Sequence, residues 1–201
     1  MLEAWYPGEA GGAALAHVLF GDVDPGGRLP ATFPASETAY PTSSDPTASN
    51  GAEVNYSEGV FVGYRWYDEN HVAPGYPFGF GLSYTTFRFS GLRISGTTVR
   101  VTLTNTGRRT GIAVPQLYLG LPSPSSSVQQ PPRQLKGYRS FRLKPGHSVT
   151  VTFPLNERAF SYWDVNTSGW KVAPGCYRVY VGASSRDLPL HGTISRGGAH
   201  C

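Results

Sequence analysis

The chain of 201 residues has two cysteines, one methionine and only 15 % charged residues. Two cysteines cannot build a disulfide framework. Cys176 falls in an expected strand and Cys201 ends a Gly-rich tail, which leaves a disulfide between them open, with two unpaired thiols as the safer expectation. No stretch reaches the ~18 consecutive apolar residues of a membrane span. No charged start followed by an apolar run marks a signal peptide, which makes a cytoplasmic location the default. Runs of Lys or Arg are absent, and the net charge of +4 is scattered. That distribution excludes nucleic acid and an anionic membrane as expected partners. The five histidines have no metal-ligand spacing. Asp22-Val23-Asp24 before Gly26 lacks the other positions of a calcium loop and reads as a turn. Gly79 and Gly81 begin a G-x-G-x-x-G pattern, but Tyr84 stands where the third glycine belongs. No G-x-S-x-G is present, and Cys176 has no evident His partner. Metal and cofactor are therefore both expected to be none.

What is abundant is glycine, proline and aromatic rings: 25 Gly, 17 Pro, 12 Tyr, 10 Phe and 4 Trp. With alternating Val, Thr and Tyr, this points to a mainly β module with many turns. Ala14 with Val18 and Leu15 with Leu19 predict one helix over 9–20, stopped by Gly21. Pro25-Gly26-Gly27 forces a turn, and Arg28 to Phe33 reads as a short extended piece. Residues 35–55 read as a long surface loop. Val60, Val62 and Tyr64 alternate with Phe61, Gly63 and Arg65, which predicts a strand or extended run. From about residue 87 the pattern predicts about seven short strands split by turn residues, a β-sandwich. Pro115 beside the Gln116 strand implies an edge position or a late strand start. The first segment has one helix and little else to cover its apolar face. Met1-Leu2-Glu3-Ala4-Trp5 reads like the middle of an element, so a missing partner is expected. Asn55-Tyr56-Ser57 and Asn166-Thr167-Ser168 fit the N-glycosylation pattern.

Two early stretches are distinctive. One is Ala4-Trp5-Tyr6-Pro7-Gly8-Glu9-Ala10-Gly11-Gly12 running on to Gly21-Asp22-Val23-Asp24-Pro25-Gly26-Gly27-Arg28-Leu29-Pro30. The other is Tyr56-Ser57-Glu58-Gly59-Val60-Phe61-Val62-Gly63-Tyr64-Arg65-Trp66-Tyr67-Asp68. Pro77 to Tyr84, Asn105-Thr106-Gly107, Gln116-Leu117-Tyr118, Leu135-Lys136-Gly137-Tyr138 and Pro174-Gly175-Cys176-Tyr177 follow in order. Together they resemble the C-terminal third of glycoside hydrolase family 3, the β-glucosidase and β-xylosidase group, over about residues 1–190. Ala113 departs from the acidic residue many relatives carry there. The resemblance implies the C-terminal remnant of an α/β sandwich domain over 1–86. It implies a fibronectin type III-like, immunoglobulin-like β-sandwich over 87–201.

Glycoside hydrolysis needs two carboxyl groups across the scissile bond. The family is a retaining one, with a nucleophilic Asp on its barrel and an acid/base Glu upstream of the region matched here. No catalytic residue is therefore assigned in this chain. Glu58, Trp66 and Asp68 are weak substrate-binding candidates, because acids flank an aromatic run. The competing reading pairs Glu58 with backbone donors or with Arg65 and puts the rings in the core. The chain is read as the structural C-terminal part of a β-glucosidase-like hydrolase, expected to be inactive alone, with the barrel and α/β domains of the same enzyme as its expected partners. A secreted parent enzyme is compatible with this reading. The alternative is a stand-alone fibronectin-like module that binds carbohydrate or protein, with Trp163 or Trp170 as contacts.

Overall fold

The structure is a computed structural model and describes residues 1–40, 58–122 and 128–201. Eleven strands and two α-helices are present among these residues. The sandwich has one three-stranded sheet, in the order β1 (Phe87–Ser95), β2 (Thr98–Asn105), β7 (Ser148–Pro154). Facing it is a four-stranded sheet, in the order β11 (Leu190–Arg196), β10 (Gly175–Gly182), β4 (Gln116–Gly120), β5 (Gln134–Tyr138). All pairings in both sheets are antiparallel. β3 (Gly111–Ala113) pairs with β6 (Phe141–Leu143), and β8 (Ser161–Asp164) pairs with β9 (Gly169–Val172). A 3-10 turn over Glu157–Phe160 leads into β8.

Alternation along β2 and β7 sends Val99, Val101, Leu103, Val151 and Phe153 inward. They meet Leu117 and Leu119 of β4, Tyr177, Val179 and Val181 of β10, and Ile194 of β11. Each fully buried Leu or Val contributes roughly 1.5–3 kcal/mol by leaving water. At the sandwich end, Asn105 is completely buried and fully bonded. Its Oδ1 accepts from Thr85 Oγ1 at 2.7 Å and from the Gly107 amide at 3.1 Å. Its Nδ2 donates to the carbonyls of Arg109 at 2.8 Å and Leu143 at 2.9 Å. The Asn-Thr-Gly motif is thus a polar rivet, with Gly107 needed because a Cβ there would meet Thr85 Oγ1 at 2.2 Å.

Every residue of β4 is buried, not every second one. This tells that both faces of the four-stranded sheet are covered. The inner face has the core, and the outer face has helix α2 (Tyr64–Glu69). That helix corrects the strand or extended run expected at 60–65. Gly63, at φ 58°, turns the chain just before Tyr64 and breaks the alternation. Val60 and Val62 are left exposed. β4 does start late, directly after Pro115, but inside its sheet and not at an edge.

Helix α1 (Gly11–Leu19) lies within the expected 9–20 span. It docks weakly: only Gly11 is buried, while Leu19 and Phe20 are exposed. Tyr84 Oη donates to the Val18 carbonyl at 2.6 Å, and Arg109 donates to the Gly21 carbonyl. Phe33 and Tyr76 form one isolated antiparallel bridge in place of the extended piece expected over 28–33. Most of the loop expected over 35–55, Asn55 and the Ser-rich stretch around 123–127 lie outside the described residues. Asn166 sits exposed in the β8–β9 turn.

The two cysteines correct a second expectation. Cys176 in β10 and Cys201 are joined by a disulfide, 25 residues apart in sequence. Strand β11 folds back along β10 and brings the tail to Cys176, a proximity that spacing alone does not reveal.

Candidate functional site

The aromatic segment around α2 and the outer face of the four-stranded sheet form the most densely bonded polar region. Asp68 is its centre. Its side chain is 1 % exposed. Arg133, on the approach to β5, grips it through two hydrogen bonds: Nε to Oδ2 at 2.7 Å and Nη2 to Oδ1 at 2.9 Å. Arg186, between β10 and β11, adds Nε to Oδ1 at 3.0 Å. The same Arg186 donates Nη2 to the carbonyls of Tyr67 and Val72, both at 2.9 Å. The hydrogen bond to Asp68, with its charge, holds the Arg133 guanidinium above its ordinary pKa.

The rings on α2 complete the joint. Tyr64 stacks on Phe78 at 5.0 Å and meets Tyr118 edge-on at 5.7 Å. Its hydroxyl accepts from the Leu135 amide of β5 at 2.8 Å. Tyr118 donates to Gln116 Oε1 at 2.6 Å, and burial pushes its phenol far above the usual range. Gln116 Nε2 donates in turn to the carbonyls of Gly79 at 3.1 Å and Ala183 at 2.8 Å. Gly79 has φ 79°, and a Cβ there would strike the Gln116 side chain at 2.2 Å. The glycine pattern at 79–81 thus serves close packing, against Gln116 at Gly79 and against the Gly27 carbonyl at Gly81.

The three candidates from the sequence part company here. Asp68 is locked between two arginines. Trp66 is half-buried and packs edge-on against Tyr67 at 5.2 Å. Glu58 is half-buried; its carbonyl accepts from the Phe61 amide at 3.0 Å, and its Oε2 is buried with no partner. The expected Glu58–Arg65 pair is not formed; Arg65 instead lies over the Tyr64 ring at 5.7 Å. Arg133 and Arg186 carry no signal of this role in the sequence. Both sit in loops with no motif around them, and only the fold brings them to Asp68. A polar cavity of about 580 Å³ opens beside this clamp, with Arg178, Tyr180, Arg133 and Arg186 in its wall.

Two other acids have structural work. Asp24 Oδ1 accepts from Ser83 Oγ and the Tyr84 amide, both at 2.7 Å, and Oδ2 accepts from the Ile112 amide at 2.8 Å. Asp164 pairs with Lys171 across the β8–β9 hairpin. Among the described residues, no group of three or more His, Cys, Asp or Glu is placed to hold a metal ion. No helix among them is long and apolar enough to cross a membrane. On the far side of the first segment, Met1, Leu2, Trp5, Leu29, Phe33 and Phe80 border an open apolar groove of about 330 Å³.

The glycosyl hydrolase family 3 C-terminal domain matches residues 1–84, and the fibronectin type III-like domain matches residues 113–185. The chain belongs to glycoside hydrolase family 3, in its C-terminal region. A probable β-glucosidase L of Aspergillus terreus is 42 % identical over 215 residues, which covers 96 % of this chain and 28 % of that protein. The structure of a family 3 β-glucosidase of Bifidobacterium adolescentis matches with a TM-score of 0.88 at 42 % identity, covering 96 % of this chain and 29 % of that one. DesR, a β-glucosidase of Streptomyces venezuelae solved in complex with D-glucose, matches with a TM-score of 0.89 at 41 % identity, over 95 % and 25 % of the two chains. The family 3 chain therefore spans between a quarter and a third of the relatives it matches. The ordered motifs that resemble the family turn out to be the residues of the joint: Tyr64, Asp68, Gly79, Gln116, Tyr118 and Leu135.

Proposed function

We propose that this chain is the structural C-terminal part of a β-glucosidase-like O-glycosyl hydrolase. In this reading it supplies no catalytic carboxylate, and the acid/base and nucleophile belong to barrel and α/β domains outside it. The observation that carries the reading is the state of Asp68. A glycosidase acid must exchange a proton with substrate, or attack it. A carboxylate held by three guanidinium hydrogen bonds is instead a fastener. It bolts α2 to the sandwich and so fixes the segment 1–86 against a rigid support. The exposed apolar groove by Met1, Leu2 and Trp5 supports the same reading, because it gives the catalytic domains a surface to cover. The disulfide fits folding in an oxidising compartment.

The test is hydrolysis of an aryl β-glucoside by the purified chain. The expected rate equals that of buffer alone. Turnover in the ordinary enzymatic range, ~1–10³ per second, would overturn the reading. A second reading is favoured by one feature. Trp163 and Trp170 pair across the β8–β9 hairpin at 5.1 Å and stay 46 % and 51 % exposed. A carbohydrate-binding module would use such rings. Saturable binding of soluble glucans, lost in Trp170→Ala, would establish it; flat calorimetric titrations across a glucan panel would remove it.

A further inference from the structure

We propose that the cavity of about 580 Å³ beside the Asp68 clamp binds an oxyanion group, a carboxylate or a phosphate, with Arg178 as its main contact and Arg133 and Arg186 as neighbours. All three arginines lie in the cavity wall, and the fold explains why. Along β10, Tyr177, Val179 and Val181 are buried in the core, so Arg178 and Tyr180 face the outer side of the sheet. Gly120 of β4 stands opposite Arg178 in the register. A Cβ on Gly120 would meet the Pro132 carbonyl oxygen at 2.7 Å, Arg178 Cβ at 3.5 Å and Tyr180 Cε2 at 3.7 Å. The missing side chain thus lets the segment before β5 close down beside β10. Arg133, the next residue, lies over the Tyr180 ring at 5.6 Å. Asp68 then ties Arg186 to Arg133, at 3.0 and 2.7 Å.

The wall holds three arginines against two acids, Asp68 and Glu69, which leaves one positive charge in excess with His71 counted neutral. Asp68 is already shared by Arg133 and Arg186. Glu69 is exposed and forms no ion pair among the described residues. Arg178 is exposed too, and among those residues it makes neither a hydrogen bond nor an ion pair. Arg133 and Arg186 spend Nε and Nη2 on Asp68 and on backbone carbonyls; in neither does Nη1 have an acceptor among the described residues. Open guanidinium donors with an excess of positive charge suit an oxyanion, which takes charge-assisted hydrogen bonds from such forks. The cavity has the volume of a small-molecule pocket, more than one ion fills, so the oxyanion can be carried by an organic molecule lying against the Tyr180 ring. This site does not depend on the hydrolase reading.

The oxyanion has two sources, a free inorganic anion or the acid group of a small organic molecule. Isothermal titration of the full chain at fixed ionic strength, balanced with chloride, separates them with three probes: inorganic phosphate, D-glucuronate and D-glucose. Glucuronate and glucose share a ring and differ in the carboxylate. Saturable binding of an anion is expected, with none of glucose over the same range. Arg178→Gln should weaken that binding about tenfold. Glu69→Gln removes the unpaired acid of the wall and should tighten it about twofold. Both residues are exposed, so both variants should fold; circular dichroism checks this. Tighter binding of phosphate supports a free anion, and tighter binding of glucuronate supports an organic acid. Absence of saturable binding of either anion, glucose bound as tightly as glucuronate, unchanged affinity in folded Arg178→Gln, or weaker binding in Glu69→Gln overturns the proposal.

Discussion

Replacing Asp68 by Asn tests the joint between α2 and the sandwich. The substitution keeps shape and volume but removes the charge that two guanidinium groups share. Asn can still accept through one oxygen, yet its amide nitrogen then faces an arginine donor. Breaking a buried pair by removing one partner costs about 3–5 kcal/mol. Arg133 and Arg186 retain 22 % and 33 % side-chain exposure, so water can reach them in part. Arg186 also keeps its two carbonyl acceptors on Tyr67 and Val72. These two facts lower the expected loss to ~2–4 kcal/mol. For a chain of this size that is a fall in Tm of roughly 4–16 °C. Arg133→Met should cost less, because Asp68 then still holds Arg186. Urea unfolding followed by tryptophan fluorescence gives the energies. Hydrogen exchange gives the location. The Leu135 amide, which donates to Tyr64, should exchange faster in Asp68→Asn, while the Val101 and Val179 amides of the core strands should not. A loss under ~1 kcal/mol, with Leu135 protection unchanged, would refute the idea that this clamp fastens the two parts.

Three further outcomes follow from the same structure. Asn105→Ala takes their partner from the buried Thr85 hydroxyl and Leu143 carbonyl and from the half-buried Gly107 amide and Arg109 carbonyl; urea unfolding should show a loss of ~2–3 kcal/mol, and a loss below ~1 would mean the rivet is replaceable. Reducing the Cys176–Cys201 bond, which spans 25 residues, should lower stability by up to ~3.5 kcal/mol, and a free-thiol assay before reduction should find none. Lys136 has a folded pKa lowered to about 8 from 10.5, so the unfolded chain binds the extra proton between those values; stability should rise as pH increases from about 8 to 10.5. After discounting for solvent access the Lys136 contribution is ~1–3 kcal/mol, and the difference between wild type and Lys136→Met should narrow over that range; a pH-independent difference would contradict the assignment.

Much of the scaffold was legible in the sequence because its causes are local. Alternation in β2, β7 and β10 follows from the period of two and a core on one side. The helix over 11–19 follows from pairs such as Ala14 with Val18. The order of the motifs along the chain points to the family. The α2 segment was misread because Val60, Val62 and Tyr64 alternate like a strand, while one left-handed glycine at 63 ends that pattern. Sequence could nominate Asp68 as an acid near aromatic rings. It could not say that Arg133, 65 residues away, and Arg186 converge on it. Such pairings depend on which loops the sandwich brings to the outer face of one sheet. The disulfide has the same origin: the β10–β11 hairpin decides that Cys201 reaches Cys176. Local propensity and periodicity therefore determined most of the strands and turns, and the ordered motifs carried the resemblance to the family. Only the tertiary structure decided which charges meet, because pairing between distant loops is set by sheet topology and not by neighbours along the chain.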